Sequence, residues 1–224
     1  MRLLMLVVLT ASFSLGKAND ATERLDRAAV VLEEIMEISD KGIPQDLFEK
    51  AYCAVVVPGL KQGAFIIGGK YGKGFMTCRS ATGKGWSAPA AVRIEGGSIG
   101  FQIGGAEVDV VMLVMNKSGG DKLLSSKFTL GGQGEVAAGP VGRSTTAQTD
   151  AQMRAEILSW SRSRGAFAGV SLQGATLRQD LDANKEMYGR TLQNREIIES
   201  TMAPPESASK LLSLLNKLSI KEMK

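Results

Sequence analysis

Between Gly85 and Arg143, short apolar runs are broken every few residues by glycine, most densely in G-G-S-I-G-F-Q-I-G-G from Gly96 and L-G-G-Q-G from Leu130. This punctuation predicts tightly turned antiparallel strands. Ile99, Phe101 and Ile103 alternate with Ser98, Gly100 and Gln102, the period-two pattern of a strand with one face in and one face out. Val108 to Met115 is apolar at every position except Asp109 and predicts a central strand covered on both sides. Phe128 and Leu130 alternate with Lys127 and Thr129. With 26 glycines and 5% aromatic residues, the composition favours a turn-rich β protein over a helix bundle. No catalytic constellation stands out in this scaffold, so function is expected from its surface.

The flanks are of a different kind. Arg2 followed by the apolar run Leu3 to Leu15, with small Gly16 and Ala18, predicts an export signal over residues 1–18, cleaved after Ala18. That run is short for a span of about 20 residues. Residues 19–42 predict a helix capped by Asn19 or Asp20, with Leu25, Ala29, Leu32 and Met36 on one face and Arg24, Arg27, Glu33, Glu34 and Glu37 outward. Pro44 opens a second, short helix. Strands are expected at Tyr52 to Val57, Ala64 to Ile67 and Phe75 to Arg79, with glycine-rich loops between them. Residues 155–162 suit either a strand or a helix. A hairpin is expected around Gln173-Gly174, a helical turn ending at Gly189, and a last helix from Glu206 to Met223 carrying Leu211, Leu212, Leu214, Leu215, Leu218 and Ile220.

The formal net charge is only +4, but its distribution is uneven. From Lys50 to Ile94 there are seven basic residues and no acid. Such a one-signed segment concentrates positive potential on whichever face it forms. Lys61, Lys70, Lys73 and Lys84 fall on expected loops, where long side chains reach a partner. With Arg79 and Arg93 they form the candidate binding set. Cys53 and Cys78 are open to two readings. They are buried small apolar thiols, or a bridge that export permits, provided their strands are neighbours. Trp86 suits the core or an interfacial ring. Ser161-Arg162-Ser163-Arg164 suits either an ion pair to the sheet or a phosphate.

Several motif matches are empty. Gly96 to Gly100 fits G-x-S-x-G, but the chain has no His to serve as the base of a hydrolase triad. Gly132 to Ala137 fits a loose dinucleotide fingerprint, but Gly139-Pro140 follows where a helix must start. Two cysteines and no His argue against a zinc site. Any enzymatic base would have to be Asp, Glu or Lys; Glu107 and Asp109 share a strand face, which is thin support. Nothing points to nucleic acid, a metal or a cofactor. Asn116-Lys117-Ser118 is a glycosylation sequon.

From Ile43 to Gly189 the chain resembles the SYLF domain, the lipid-binding module also named for a yeast actin-binding protein of cortical patches. The resemblance rests on Ile43-Pro44, G-W-S-A-P-A from Gly85, the glycine run from Gly96, L-L-S-S-K-F-T-L-G from Leu123, A-A-G-P-V-G-R from Ala137, S-R-S-R-G-A-F-A-G-V-S-L from Ser161, and Asn184 to Gly189. Departures fall at Ala91, Trp160 and Gln173, outside the glycine framework. The resemblance implies binding to anionic phospholipids, phosphoinositides in eukaryotic members, and to F-actin in yeast ones. The signal at 1–18 matches bacterial secreted members.

The expectation is one α+β domain over 43–189: a twisted, glycine-rich antiparallel sheet curled toward a barrel or sandwich, with N-terminal helices and a C-terminal helical extension at 190–224. The expected function is reversible, non-enzymatic binding to anionic phospholipid headgroups through Lys61, Lys70, Lys73, Arg79, Lys84 and Arg93, outside the cytoplasm and peripheral to a membrane. The alternative is a cell-envelope protein-interaction module docking through its C-terminal leucine-rich helix.

Overall fold

The computed structural model of the chain describes residues 20–37, 42–65, 67–99, 104–130, 136–138, 156–163, 166–167 and 172–220. The expected export signal, residues 132–135 of the loose fingerprint, residues 100–103 of the alternating stretch and Arg164 lie outside the described residues.

Among the described residues the architecture is a nine-stranded sheet with helices, in the α+β class expected. The strands are β1 (Cys53–Phe65), β2 (Ile67–Cys78), β3 (Ala90–Ile99), β4 (Gly104–Val114), β5 (Lys127–Thr129), β6 (Val136–Ala138), β7 (Ile157–Ser163), β8 (Ala166–Phe167) and β9 (Thr176–Gln179). The order across the sheet is β5-β9-β3-β2-β1-β4-β7-β6, with β8 on β7. Every pair is antiparallel except β6 with β7. Among the described residues the ladder is open, from β5 to β6.

Both faces are covered because β1 and β4 are apolar at nearly every position. Ala54, Val56, Val111 and Leu113 face a cluster roofed by helices; Val55, Val57, Val108, Val110 and Met112 face the opposite one. Val108 to Val114 is thus the doubly covered strand that its composition predicts. The roof consists of α1 (Asp20–Glu37), α2 (Gln45–Lys50), α4 (Leu181–Tyr188) and α6 (Ser209–Leu218). The opposite core is closed by Leu123 of α3 (Lys117–Leu123), by Leu130 and Leu172, and by Ile197 and Ile198 of α5 (Asn194–Ile198).

Local chemistry sets the element ends. Pro44 precedes α2; Asn116 accepts from Gly119 N at 2.8 Å and starts α3; Asp180 accepts from Ala183 N and starts α4, which stops at Gly189 (φ 71°). Residues 157–162 resolve as a strand. The turn at Gln173-Gly174 forms, but β9 pairs with β3 and β5; residues 168–171, on the other side of that turn, lie outside the described residues.

Three expectations change. Lys61, Lys70 and Lys73 lie on strands, not loops: β1 continues through Pro58 to Phe65, and β2 runs unbroken from Ile67. A β-bulge absorbs the proline, which has no amide to donate. The β1–β4 register shifts between Val57 and Leu60, and Gly59 (φ 60°) donates its N–H to Asp109 Oδ1 at 2.9 Å. Second, Arg24 is buried rather than outward. It falls in the stripe of Ala21, Leu25 and Ala28, packs its stem there, and pairs with Asp20 one turn earlier. Third, the last helix is not free to dock elsewhere. Leu211, Leu212 and Leu215 are buried in the helix-side core, and Lys210 reaches Glu33 of α1 at 3.4 Å. Helices on either side of the sequence boundaries at 43 and 190 therefore share one core.

Cys53 and Cys78 are directly opposite in the β1–β2 register and form a disulfide, fully buried in the second core. Of the two readings the bridge is correct. By loop-closure entropy, the Cys53→Ala/Cys78→Ala variant is expected to lose about 3 kcal/mol. Urea unfolding under non-reducing conditions measures it, and an unchanged midpoint contradicts it. Trp86 is a core ring: its Nε1 donates to Ser219 Oγ at 2.9 Å.

Candidate anion-binding face

In an antiparallel sheet, directly opposite residues point to the same face. The registers align Lys127 of β5 with Arg178 of β9, Arg178 with Arg93 of β3, and Arg93 with Lys73 of β2. Four cations therefore stand side by side across four neighbouring strands, spanning about 14 Å at the usual strand spacing. They lie on the helix-roofed side, since Phe75, two residues on from Lys73, is in that core. Like charges directly opposite are destabilising. Two carboxylates answer the four cations. Glu95 meets Arg93 Nε at 2.6 Å and Arg178 at 3.5 Å, and the buried Asp180 meets Lys73 at 3.0 Å. Lys127 is exposed, with no ion-pair partner among the described residues. Partial burial pulls the Lys73 ammonium down, and the hydrogen bond to Asp180 with its charge more than reverses this, so the group titrates above the lysine range. Its stability contribution is then complete below the unfolded lysine pKa and is lost as pH rises through the raised folded value.

Beside Lys73 a cleft of about 260 Å³ opens between α1 and the bulge. Arg24, Arg27, Lys61 and Lys73 line it with Tyr71; Glu107 is its one acid. Pro58, Gly59 and Gly72 form its floor, so the bulge that carries β1 past the proline also shapes the cleft. A larger groove of about 860 Å³ lies along Lys61, Glu107, Asp109 and Arg162. Its charges are mixed and largely satisfied: Arg162 pairs with Asp109 at 3.0 Å and with Glu34. That settles the role of the Ser161-Arg162 element as an ion pair to the sheet and to α1.

Of the six residues singled out from sequence, Lys61, Lys73 and Arg93 come together on this face. The other three do not join them. Lys70 alternates with Tyr71 and so points to the other side of β2, partly buried, and burial lowers its pKa. Lys84 is exposed on the turn 80–85, at the opposite end of β2 from its start. Arg79 is committed to the fold. It donates to the carbonyls of Phe48 (2.8 Å), Glu49 (2.9 Å) and Ala51 (3.0 Å), capping α2, and its guanidinium lies 4.5 Å over the Trp86 ring. Lys127, Arg178, Arg24 and Arg27 were missed by sequence reasoning. The alternations Lys127-Phe128-Thr129 and Thr176-Leu177-Arg178 show which way each cation points. Only the register shows that they are neighbours.

The family described as "Ysc84: Las17-binding protein actin regulator" matches residues 95–218, more than half of the chain. "SH3 domain-containing YSC84-like protein 1" of Homo sapiens is 32% identical over 197 residues, covering 85% of this chain and 57% of that protein. "LAS seventeen-binding protein 3" of Saccharomyces cerevisiae is 33% identical over 181 residues, covering 79% of this chain and 39% of that protein. The chain thus spans about half the length of these relatives or less. The family's description names binding and regulation, not an enzymatic activity. By the extent of these matches, and in keeping with the glycine-rich motifs that run through its sheet, the chain belongs to the Ysc84 (SYLF) family.

Proposed function

We propose that the chain binds anionic phospholipid surfaces reversibly through the helix-side face of β2, β3, β9 and β5. The row Lys127–Arg178–Arg93–Lys73 carries this reading. Two carboxylates answer these four cations, so the row keeps a positive excess that a polyanionic counter-surface can meet. Each Lys or Arg near an anionic bilayer contributes about 1 kcal/mol, so this row with Lys61 and Arg27 suffices for reversible binding. The basic cleft beside Lys73 suits a single phosphate-bearing headgroup. The disulfide and the export signal expected at 1–18 support a peripheral location outside the cytoplasm, in the periplasm or secreted.

The names of the relatives support a second reading, a protein partner. An acidic protein surface has the chemistry to meet the same row; the C-terminal helix commits Leu211, Leu212 and Leu215 to the core and packs Leu214 and Leu218 against it, which leaves little of its leucine face for docking.

Sedimentation with phosphatidylcholine vesicles, with and without phosphatidylserine, tests the proposal. Binding only to the anionic vesicles, weakening from low to moderate salt, is the expected result. Absence of binding at low salt would sink the lipid reading and leave the protein partner.

A further inference from the structure

The four central strands outrun their neighbours. β9 pairs with β3 only as far as Glu95, and β7 with β4 only as far as Asp109. Beyond those positions β3, β2, β1 and β4 continue together as a four-stranded arm. Its rows change in a fixed order. The first is Glu95–Tyr71–Lys61–Glu107, with Tyr71 48% exposed. Two positions further out is Gly97–Gly69–Gly63–Gly105, four exposed glycines in register; a Cβ on Gly63 would meet nothing within 4 Å. Two further still, the register aligns Ile99, Ile67 and Phe65. The sequence has no charged residue over 62–69 or 96–106.

We infer that this arm enters the interfacial zone of an anionic bilayer end-first, with its apolar row among the outermost acyl carbons and Tyr71 and Lys61 at the headgroups. The inference rests on the anionic-surface reading above and adds an apolar anchor to it. Three features support it. An uncharged, apolar end follows directly on a row that sets Tyr71 and Lys61 between Glu95, which Arg93 and Arg178 neutralise, and Glu107; that is the order in which a bilayer passes from hydrocarbon to its charged layer, and tyrosine favours the boundary. Phe65 and Lys61 are four strand residues apart, about 13 Å. That matches the outer acyl region plus one headgroup layer, given apolar penetration of about 5–10 Å. The bare glycine row keeps the arm thin where it would cross the headgroups. The basic row lies behind it on the sheet, where it draws the arm to an anionic surface.

The test is a Phe65→Trp variant with phosphatidylcholine–phosphatidylserine vesicles containing lipids brominated at defined acyl depths. The native Trp86 and Trp160 are both buried and give a constant background. The expected result is a blue shift on binding, with strongest quenching by shallow bromines. A Phe65→Ser/Ile67→Ser/Ile99→Ser variant is expected to bind about tenfold more weakly or worse while keeping its salt dependence. If that variant fails to fold, the fluorescence of Phe65→Trp decides alone. Vesicle binding by Phe65→Trp with its added emission unshifted and unquenched overturns the insertion and leaves the headgroup reading standing. Failure of the unmodified chain to bind anionic vesicles overturns both.

Discussion

Neutralising the cation row as Arg93→Gln/Arg178→Gln/Lys127→Gln weakens binding to anionic vesicles by about 100-fold. Three contributions of about 1 kcal/mol each amount to about 3 kcal/mol, and 1.4 kcal/mol is a factor of ten. The same variant removes like charges placed directly opposite one another on β5, β9 and β3 but also both ion-pair partners of the partly exposed Glu95, so its stability should stay within about 1 kcal/mol of the native chain. Lys73 is left in place because its loss would strand the buried Asp180. A Lys84→Gln variant, altered on the turn at the other end of β2, should bind as the native chain does. Vesicle titration with parallel urea unfolding reads both quantities. Equal affinity in the triple variant, or a large loss from Lys84→Gln alone, rules out the row as the site.

Gly74→Ala costs more than about 4 kcal/mol. A Cβ at Gly74 would lie 2.1 Å from the carbonyl oxygen of Val56 and 2.7 Å from Val57 Cα. Both are backbone atoms of β1 at the edge of its bulge, where the β1–β2 register shifts between Val56 and Lys61. Overpacking against a flexible side chain costs about 1–3 kcal/mol; here no side chain can turn away, so the two central strands must part. For a chain of this size the melting temperature should fall by about 10 °C or more. Gly63→Ala, on the same hairpin but facing open space, is the matched control and should change little. A melting temperature for Gly74→Ala within a degree or two of that control would contradict the packing described for the bulge.

The sheet was partly legible because the alternation at Lys127 to Thr129 and the apolar Val108 to Val114 run are local signals; of the alternation expected from Ser98 to Ile103, residues 100–103 lie outside the described residues. The helix-side face was only partly legible. Arg93 and Lys73 were found because they sit in one acid-free stretch of sequence. Arg178 and Lys127 escaped because they arrive on short strands from distant parts of the chain, and pairing is a property of the folded sheet. Pro58 and the glycines of the first hairpin suggested loops. They are instead the residues that let two long strands bulge and pass closely, at Gly59, Gly72 and Gly74. Arg24 illustrates a converse error. Charge predicted an outward residue, but an aliphatic stem inside an alanine–leucine stripe buries readily when a carboxylate lies one turn away and a cleft receives the guanidinium.

Lysine-reactivity footprinting locates the binding surface on the molecule. The native chain is acetylated briefly with and without phosphatidylserine-containing vesicles, and each lysine is read by mass spectrometry. Lys61 and Lys127 are expected to be shielded by the vesicles, while Lys84 on the far turn and Lys217 on α6 react as before. Shielding of Lys84 and Lys217 with Lys61 and Lys127 unchanged would contradict this placement and move the binding surface to the opposite end of the sheet.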